Sequence, residues 1–271
     1  MYEILRTYVN YYLDIQKVRI ALNNRLDRVR EAKYTSEPYL SDQLGFLIEY
    51  AGQLEEIEEK VGKNIANQLK GVPIWETFLK EVTGIGPIYA GQLICLIAGK
   101  KHTPECKEKQ KQYFSKKARG EVKRDKRFEC DCPAMEIERF PMVSSLWKYA
   151  GMHVVDGKAP KLKRGQKGNW NPKLKSLCWK IAKSFVMAGG DYRFLYNDFK
   201  QKETEKNGGR LTKKHIDMRA RRKTVKVFLA HLFDKWYRLK GLEPPPPYSI
   251  DVMKHEGYIP PVPRKCEPLV G

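Results

Sequence analysis

Residues Phe78–Ile97 read FLKEVTGIGPIYAGQLICLI, and both the fold and the function of the chain turn on this segment. A helical apolar pattern enters Thr83-Gly84-Ile85-Gly86-Pro87, and a second one leaves it over Ile88–Ala98. Glycines at 84 and 86 permit positive φ and let the backbone come close to a ligand. Pro87 suits the first turn of the outgoing helix, whose N-terminal N–H groups and dipole draw an anion. A phosphate group fits such a turn, which makes Thr83, Gly84, Ile85 and Gly86 candidate binding residues. The competing reading is a helix-to-helix connector whose two glycines serve packing alone.

Upstream, Pro73 opens a helix expected to run to Val82. Before it lie two seams of helical spacing. Leu5, Tyr8, Tyr12, Ile15, Val18, Leu22, Leu26 and Val29 form the first; Leu44, Leu47, Ile48, Ala51, Leu54, Ile57, Val61, Ile65 and Leu69 form the second. The polar stretch Tyr34–Ser41, with Pro38 and an expected N-cap at Ser41, separates them. Residues 1–72 are therefore expected to form an antiparallel helical hairpin of coiled-coil type. It serves either as a structural arm or as the dimerisation arm of a homodimer.

Downstream, Lys100–Arg127 is polar and strongly basic, and 99–133 reads as an insertion or long loop. His102, Cys106, Cys130 and Cys132 supply four soft ligands across it, a candidate zinc site whose spacing departs from paired C-x-x-C; the alternative is free thiols on a mobile loop. Cys266 is an alternative to His102, while Cys95 and Cys178 fall in apolar helical patterns and read as core. Phe140–Met152 is a compact apolar segment, with Ser144 and Ser145 at the expected start of a helix, where capping is the expected role. Asn171-Pro172 opens a helix, Asp191 is expected to cap another, and Thr212 opens a last long one ended by Gly241. The expectation is a mainly α chain: the hairpin, a compact helical domain over 73–242, and a proline-rich extended tail over 243–271.

Lysine and arginine total 52 against 32 acidic residues, a formal charge of +20. A surface merely rich in ion pairs would enrich glutamate alongside lysine, so the one-sided excess points to a polyanionic partner. The excess lies after Val72, since the hairpin carries about as many acids as bases. Lys158, Lys161, Lys163, Arg164 and Lys167, with Asn169, form a cationic loop suited to phosphate, and Trp170 beside it serves either as a base-stacking surface or as a buried anchor. Arg221 and Arg222 are further candidates within a run, Arg219 to Lys226, too dense for one helical face. No apolar run approaches a membrane span, and the expected location is cytoplasmic and nucleoid-associated.

The glycine segment resembles the helix-hairpin-helix motif of DNA repair and recombination proteins, in which the hairpin grips duplex backbone. On a larger scale the chain resembles the transposase-20 region of insertion-sequence 110/116/902 transposases, with relatives among Piv-type DNA invertases. The likeness runs through Thr83-Gly84-Ile85-Gly86-Pro87, Phe140-Pro141, Leu146-Trp147-Lys148-Tyr149-Ala150-Gly151-Met152, Gly157-Lys158, Lys167-Gly168-Asn169 and Leu174-Lys175-Ser176-Leu177. It ends in His215-Ile216-Asp217-Met218-Arg219-Ala220-Arg221-Arg222, similar to a segment of archaeal members. The resemblance implies a DNA-binding domain preceded by a helical hairpin, acting on bent or branched DNA.

Two departures bear on chemistry. The RNase-H-like domain of family transposases, whose four acidic residues hold metal, has no counterpart in these residues. The family serine has none either, since His153–Lys158 contains no hydroxyl residue. Asp156 there is a poor substitute for an attacking alkoxide. The expectation is a non-enzymatic binder of DNA backbone, with no catalytic residue. The alternatives are a serine-type recombinase subunit using a catalytic partner in trans, for which Ser144 or Ser145 would be needed, and a structured-RNA-binding module.

Overall fold

A computed structural model describes residues 2–31, 37–100, 102–123, 126, 128–155, 158–161, 165–166, 168–245 and 259. The described chain is mainly helical. Its elements are α1 (Glu3–Arg30), α2 (Glu37–Leu69), α3 (Pro73–Thr77), a 3₁₀ turn (Leu79–Glu81), α4 (Pro87–Ile97), β1 (Gly99–Lys100) and α5 (Pro104–Ala118). There follow β2 (Ala134–Met135), a second 3₁₀ turn (Ile137–Arg139), α6 (Val143–Tyr149), α7 (Pro172–Ala188), α8 (Asp191–Asn207) and α9 (Lys213–Leu239).

α1 and α2 form the expected antiparallel hairpin. Leu5 and Ile65 both meet Gly91 of α4, while Gln16 and Arg19 meet Glu58 farther along. Leu5, Val9, Ile15, Leu22 and Leu26 of α1 are buried against Leu54, Val61, Ile65 and Leu69 of α2. Val18, Val29 and Leu47, expected in the seams, are instead exposed. A straight α-helix drifts about 20° per heptad away from a 3.5-residue repeat, which carries such positions off the contact line. α2 begins at Glu37, so Ser41 lies inside the helix rather than at its N-cap. Pro38 does not stop it, because a first-turn residue has no intrahelical N–H bond to lose.

The hairpin base and the rest of the chain share one core. A Cβ at Gly91 would stand 3.1 Å from Val9 and 3.2 Å from Ile65, so the missing side chain lets α4 lie directly on both hairpin helices. The same apolar cluster continues through Leu93 and Ile94 to Phe185, Phe228 and Trp236. α9 is its central element: Ile216, Val225, Phe228, Leu229, Leu232, Phe233 and Trp236 are all buried, as the spacing predicts. Thr212 accepts from the His215 amide at its start, and Gly241, at φ +70°, follows its end. Asn171 caps α7 through the amides of Lys173 and Leu174, also as expected.

Four local expectations are corrected. The predicted helix Pro73–Val82 breaks at Phe78, at φ −142° and ψ −62°, where the ring turns inward to stack on Phe228. The predicted loop Lys100–Arg127 contains α5, a 15-residue helix whose N-cap Thr103 accepts from the Cys106 amide. Lysine, glutamate, glutamine and alanine favour helix there, but without an apolar stripe to announce it. Gly190, not Asp191, is the N-cap of α8. Ser144 and Ser145 fall in the first turn of α6 behind Met142, and neither caps it. Of the tail, residues 243–245 and Ile259 are described, the Ile259 carbonyl lying 2.9 Å from His231 Nε2.

Candidate nucleic-acid interface and metal cluster

The two glycines of the central turn do different work. Gly84 sits at φ +95°, and a Cβ there would lie 3.2 Å from Phe185 and 3.3 Å from Ser184 of α7. Ser184 Oγ donates to the Gly84 carbonyl at 2.7 Å. Packing and conformation therefore require glycine at 84. Gly86 is extended, at φ −89° and ψ 174°, and a Cβ there would meet nothing within 4 Å. Neither backbone strain nor packing requires glycine at this exposed position.

Ile85, between them, is buried, and its amide donates to the Val82 carbonyl at 2.9 Å. Neither its side chain nor its N–H is free for a ligand, which removes one of the four residues expected to bind. Thr83 is exposed, but its side chain closes on Gly190, whose Cβ would stand 2.7 Å away. Besides those of Thr83 and Gly84 in the turn, the amides of Gly86, Ile88 and Tyr89 have no acceptor among the described residues. These three head α4, where the helix dipole adds partial positive charge.

A cleft of about 960 Å³ opens beside the turn, with Gly84 and Gly86 on one wall and Lys180, Lys183 and Ser184 of α7 on the other. Tyr12, Gln16 and Gln92 also line it, and no carboxylate of the described residues does. A second cleft of about 540 Å³ lies across Pro87 and Ile88, and it carries Glu55, Glu58 and Glu59. Two of these acids are paired: Glu58 with Arg19 at 2.6 Å, Glu59 with Lys63 at 2.7 Å. The turn thus faces lysines on one side and largely neutralised acids on the other.

Lys158, Lys161 and Asn169 are exposed, with Lys158 bridging Val155 through paired main-chain hydrogen bonds. Lys163, Arg164, Lys167, Asp156 and Cys266 lie outside the described residues. Arg221 Nε lies 2.8 Å from Asp217 Oδ2, which commits its charge to an ion pair. Arg222 is half-buried, donating to the His153 carbonyl at 3.4 Å with its guanidinium over Trp179. Trp170 is an anchor: its ring packs 3.1 Å from where Cβ atoms at Gly151 and Gly168 would be. Sequence reasoning missed Lys180 and Lys183. The signal was there, because buried Leu174, Leu177, Cys178, Ile181 and Phe185 fix the apolar face of α7 and leave both lysines outside it.

The four candidate metal ligands converge. β1 and β2 pair Gly99 with Met135 and Lys100 with Ala134, which brings the segments that carry His102 and Cys132 side by side. Cys106 reaches the pair from the first turn of α5, which Thr103 caps. Lys100 Nζ donates to the Cys130 carbonyl, drawing that segment in. His102 Nδ1 lies 3.2 Å from Cys106 Sγ and 3.5 Å from Cys130 Sγ, and donor atoms of all four residues fall within 4.8 Å of one another. The main-chain amide of Thr103 and a hydrogen bond with Cys106 hold Cys132 below the ordinary thiol value, while burial and the hydrogen bonds with Cys132 and Cys130 push Cys106 above it. Three sulfurs and one nitrogen so placed can hold a metal ion. Cys95 and Cys178 are buried in the core, as expected, and no disulfide joins the described cysteines.

Among the described residues no helix is long and apolar enough to cross a membrane. In comparisons with known proteins, the chain matches no family model, no curated protein and no solved structure.

Proposed function

We propose that the chain binds DNA through its sugar-phosphate backbone, with little reading of base sequence. The observation that carries this proposal is Gly86: an exposed glycine that the fold does not need, heading a helix with open amides and facing Lys180 and Lys183 across an acid-free cleft. A side chain at 86 would stand where a phosphate oxygen must come. Tyr12, Gln16 and Gln92 add hydrogen-bonding groups to the same cleft. The likeness to the transposase-20 region adds the preference for bent or branched DNA. Strand cleavage is not included, because His153–Lys158 offers no nucleophilic hydroxyl.

The metal in the same proposal is zinc, held by His102, Cys106, Cys130 and Cys132, whose soft donors suit tetrahedral Zn²⁺. It would act structurally, pinning α5 and the β1–β2 ladder. Two copies would join through the hairpin, where Phe46 and Tyr50 of α2 stand exposed and stacked at 6.2 Å.

Binding to linear duplex, a four-way junction and structured RNA, measured at matched salt, tests the DNA assignment. The expected order is junction, then duplex, then RNA, with each affinity falling steeply as salt rises. Equal, salt-insensitive binding to all three would remove it.

A further inference from the structure

A second group of cations, apart from the glycine turn, gathers at the junction of α6, α7 and α9. Lys226 of α9 holds its ammonium 4.1 Å from the Trp147 ring centroid, and Trp147 Nε1 donates to the Lys226 carbonyl at 3.0 Å. Lys175 of α7 lies 4.2 Å from the Trp170 ring, across Gly151, where a Cβ would stand 2.8 Å from its Cδ. Arg222 sits between them over Trp179. At the centre is His153, whose Nδ1 is shielded from solvent and has no hydrogen-bond partner.

Packing on aromatic rings holds these cations in place, yet no carboxylate of the described residues pairs with Lys175, Arg222 or Lys226. Unpaired charges withdrawn from water are costly, and a protein that keeps three together gains only when an anion joins them. Burial, then the charges of Lys148, Arg222, Lys175 and Lys226, hold His153 below its ordinary value, so its ring is neutral at pH 7.

The placement ties the cluster to the glycine turn. Lys175, Trp179 and Lys183 stand at four-residue intervals on α7, one face of the helix. Lys183 lines the cleft at the glycine turn, and Lys175 belongs to the second cluster. The row spans about 12 Å at 1.5 Å per residue, roughly three to four base pairs of axial rise. We propose that Lys175, Arg222 and Lys226, with His153, hold a phosphodiester group of a DNA strand, a second contact on the helix that borders the glycine turn. The choice of DNA rests on the proposed function above; the anion site rests on the cluster itself.

The test uses the full chain and two double variants, Lys175→Met with Lys226→Met, and Lys213→Met with Lys214→Met at the exposed start of α9. Duplex affinity is measured from 50 to 200 mM salt, and His153 ring resonances are followed as inorganic phosphate is added. The inference expects phosphate to move the His153 signals in the wild type and not in the 175/226 variant. It expects that variant to lose roughly tenfold in duplex affinity and about one unit of salt slope, at about 0.9 per phosphate, with the 213/214 variant changing far less. The 175/226 variant should melt no lower than wild type, since methionine keeps the apolar contact of each half-buried lysine stem with its tryptophan; lost binding together with a lower melting temperature would make these side chains packing elements and overturn the site. An unchanged salt slope overturns the DNA contact even if phosphate still moves His153. A Gly86→Val protein separates the two proposals: if it binds duplex normally while the 175/226 variant does not, the glycine-turn contact fails and this one stands.

Discussion

Tyr2 Oη donates a 2.6 Å hydrogen bond to Glu136 Oε1, across 134 residues of sequence. The same buried carboxylate accepts from Trp236 Nε1 at 3.1 Å and pairs with Lys240 Nζ at 2.5 Å. One acid thus joins the start of α1, the segment before α6 and the end of α9. Burial alone would raise the Glu136 pKa, but hydrogen bonds from Lys240, Tyr2 and Trp236 outweigh it and hold the carboxyl below its ordinary value.

Acid should therefore unfold the protein through a small set of carboxylates. Glu58 and Glu203, like Glu136, are buried, paired and held below the ordinary 4.5. Because each folded value lies below the unfolded one, their stabilisation is present above that pH and is lost as pH falls through the folded values. Melting temperature followed from pH 7 to pH 3 should drop steeply below about 4.5. Glu136→Gln with Glu203→Gln should flatten that drop; an unchanged profile contradicts this assignment.

Arg19 and Glu58 are the polar lock of the hairpin, at 2.6 Å with side-chain exposures of 21% and 9%. Removing Arg19 leaves the buried Glu58 carboxylate with hydrogen bonds from Gln16 and Tyr12 but no counter-charge, so Arg19→Met should cost about 1–3 kcal/mol in urea unfolding. Adding Glu58→Leu should restore most of that loss, because an apolar pair needs no counter-charge. If the single variant is as stable as the wild type, Glu58 is not held as described.

Gly84→Ala should destabilise the fold by about 1–3 kcal/mol, since φ +95° disfavours a side chain and Phe185 and Ser184 leave it little room. The change should appear in thermal melts whether or not DNA is present. A neutral result would mean that α7 yields more readily than its close contacts imply.

The metal cluster predicts one Zn²⁺ per chain, with cobalt substitution giving the absorption of a tetrahedral thiolate site. Cys130→Ser or Cys132→Ser should weaken binding by at least roughly tenfold, and chelation should speed amide exchange in α5 and the β1–β2 ladder. Full amide protection of α5 after chelation would show that the segment holds without metal.

The long helices were legible because their apolar residues repeat where burial demands it. α9 is the clearest case, its buried positions matching the periodicity and Thr212 and Gly241 marking its ends. α5 was not legible, because its stability comes from helix-forming charged residues and the Thr103 cap rather than an apolar face. The break at Phe78 depends on Phe228, 150 residues away, which no local pattern carries. At the candidate site the glycines were visible, but their division of labour was not: it follows from α7 packing on one and leaving the other open. Of the cations around His153, Arg222 and Lys226 were visible in the Arg219–Lys226 run, but that Lys175 of α7 joins them was not, since it takes the packing of α7 on α9 to bring them together.

The most direct test of backbone recognition is the duplex affinity and salt slope of Gly86→Val beside wild type. A valine fits the extended backbone at 86 and meets nothing within 4 Å of its Cβ, so the melting temperature should hold while affinity falls roughly tenfold, the worth of a charge-assisted hydrogen bond. A folded Gly86→Val protein that binds duplex DNA with wild-type affinity and slope would contradict the central claim.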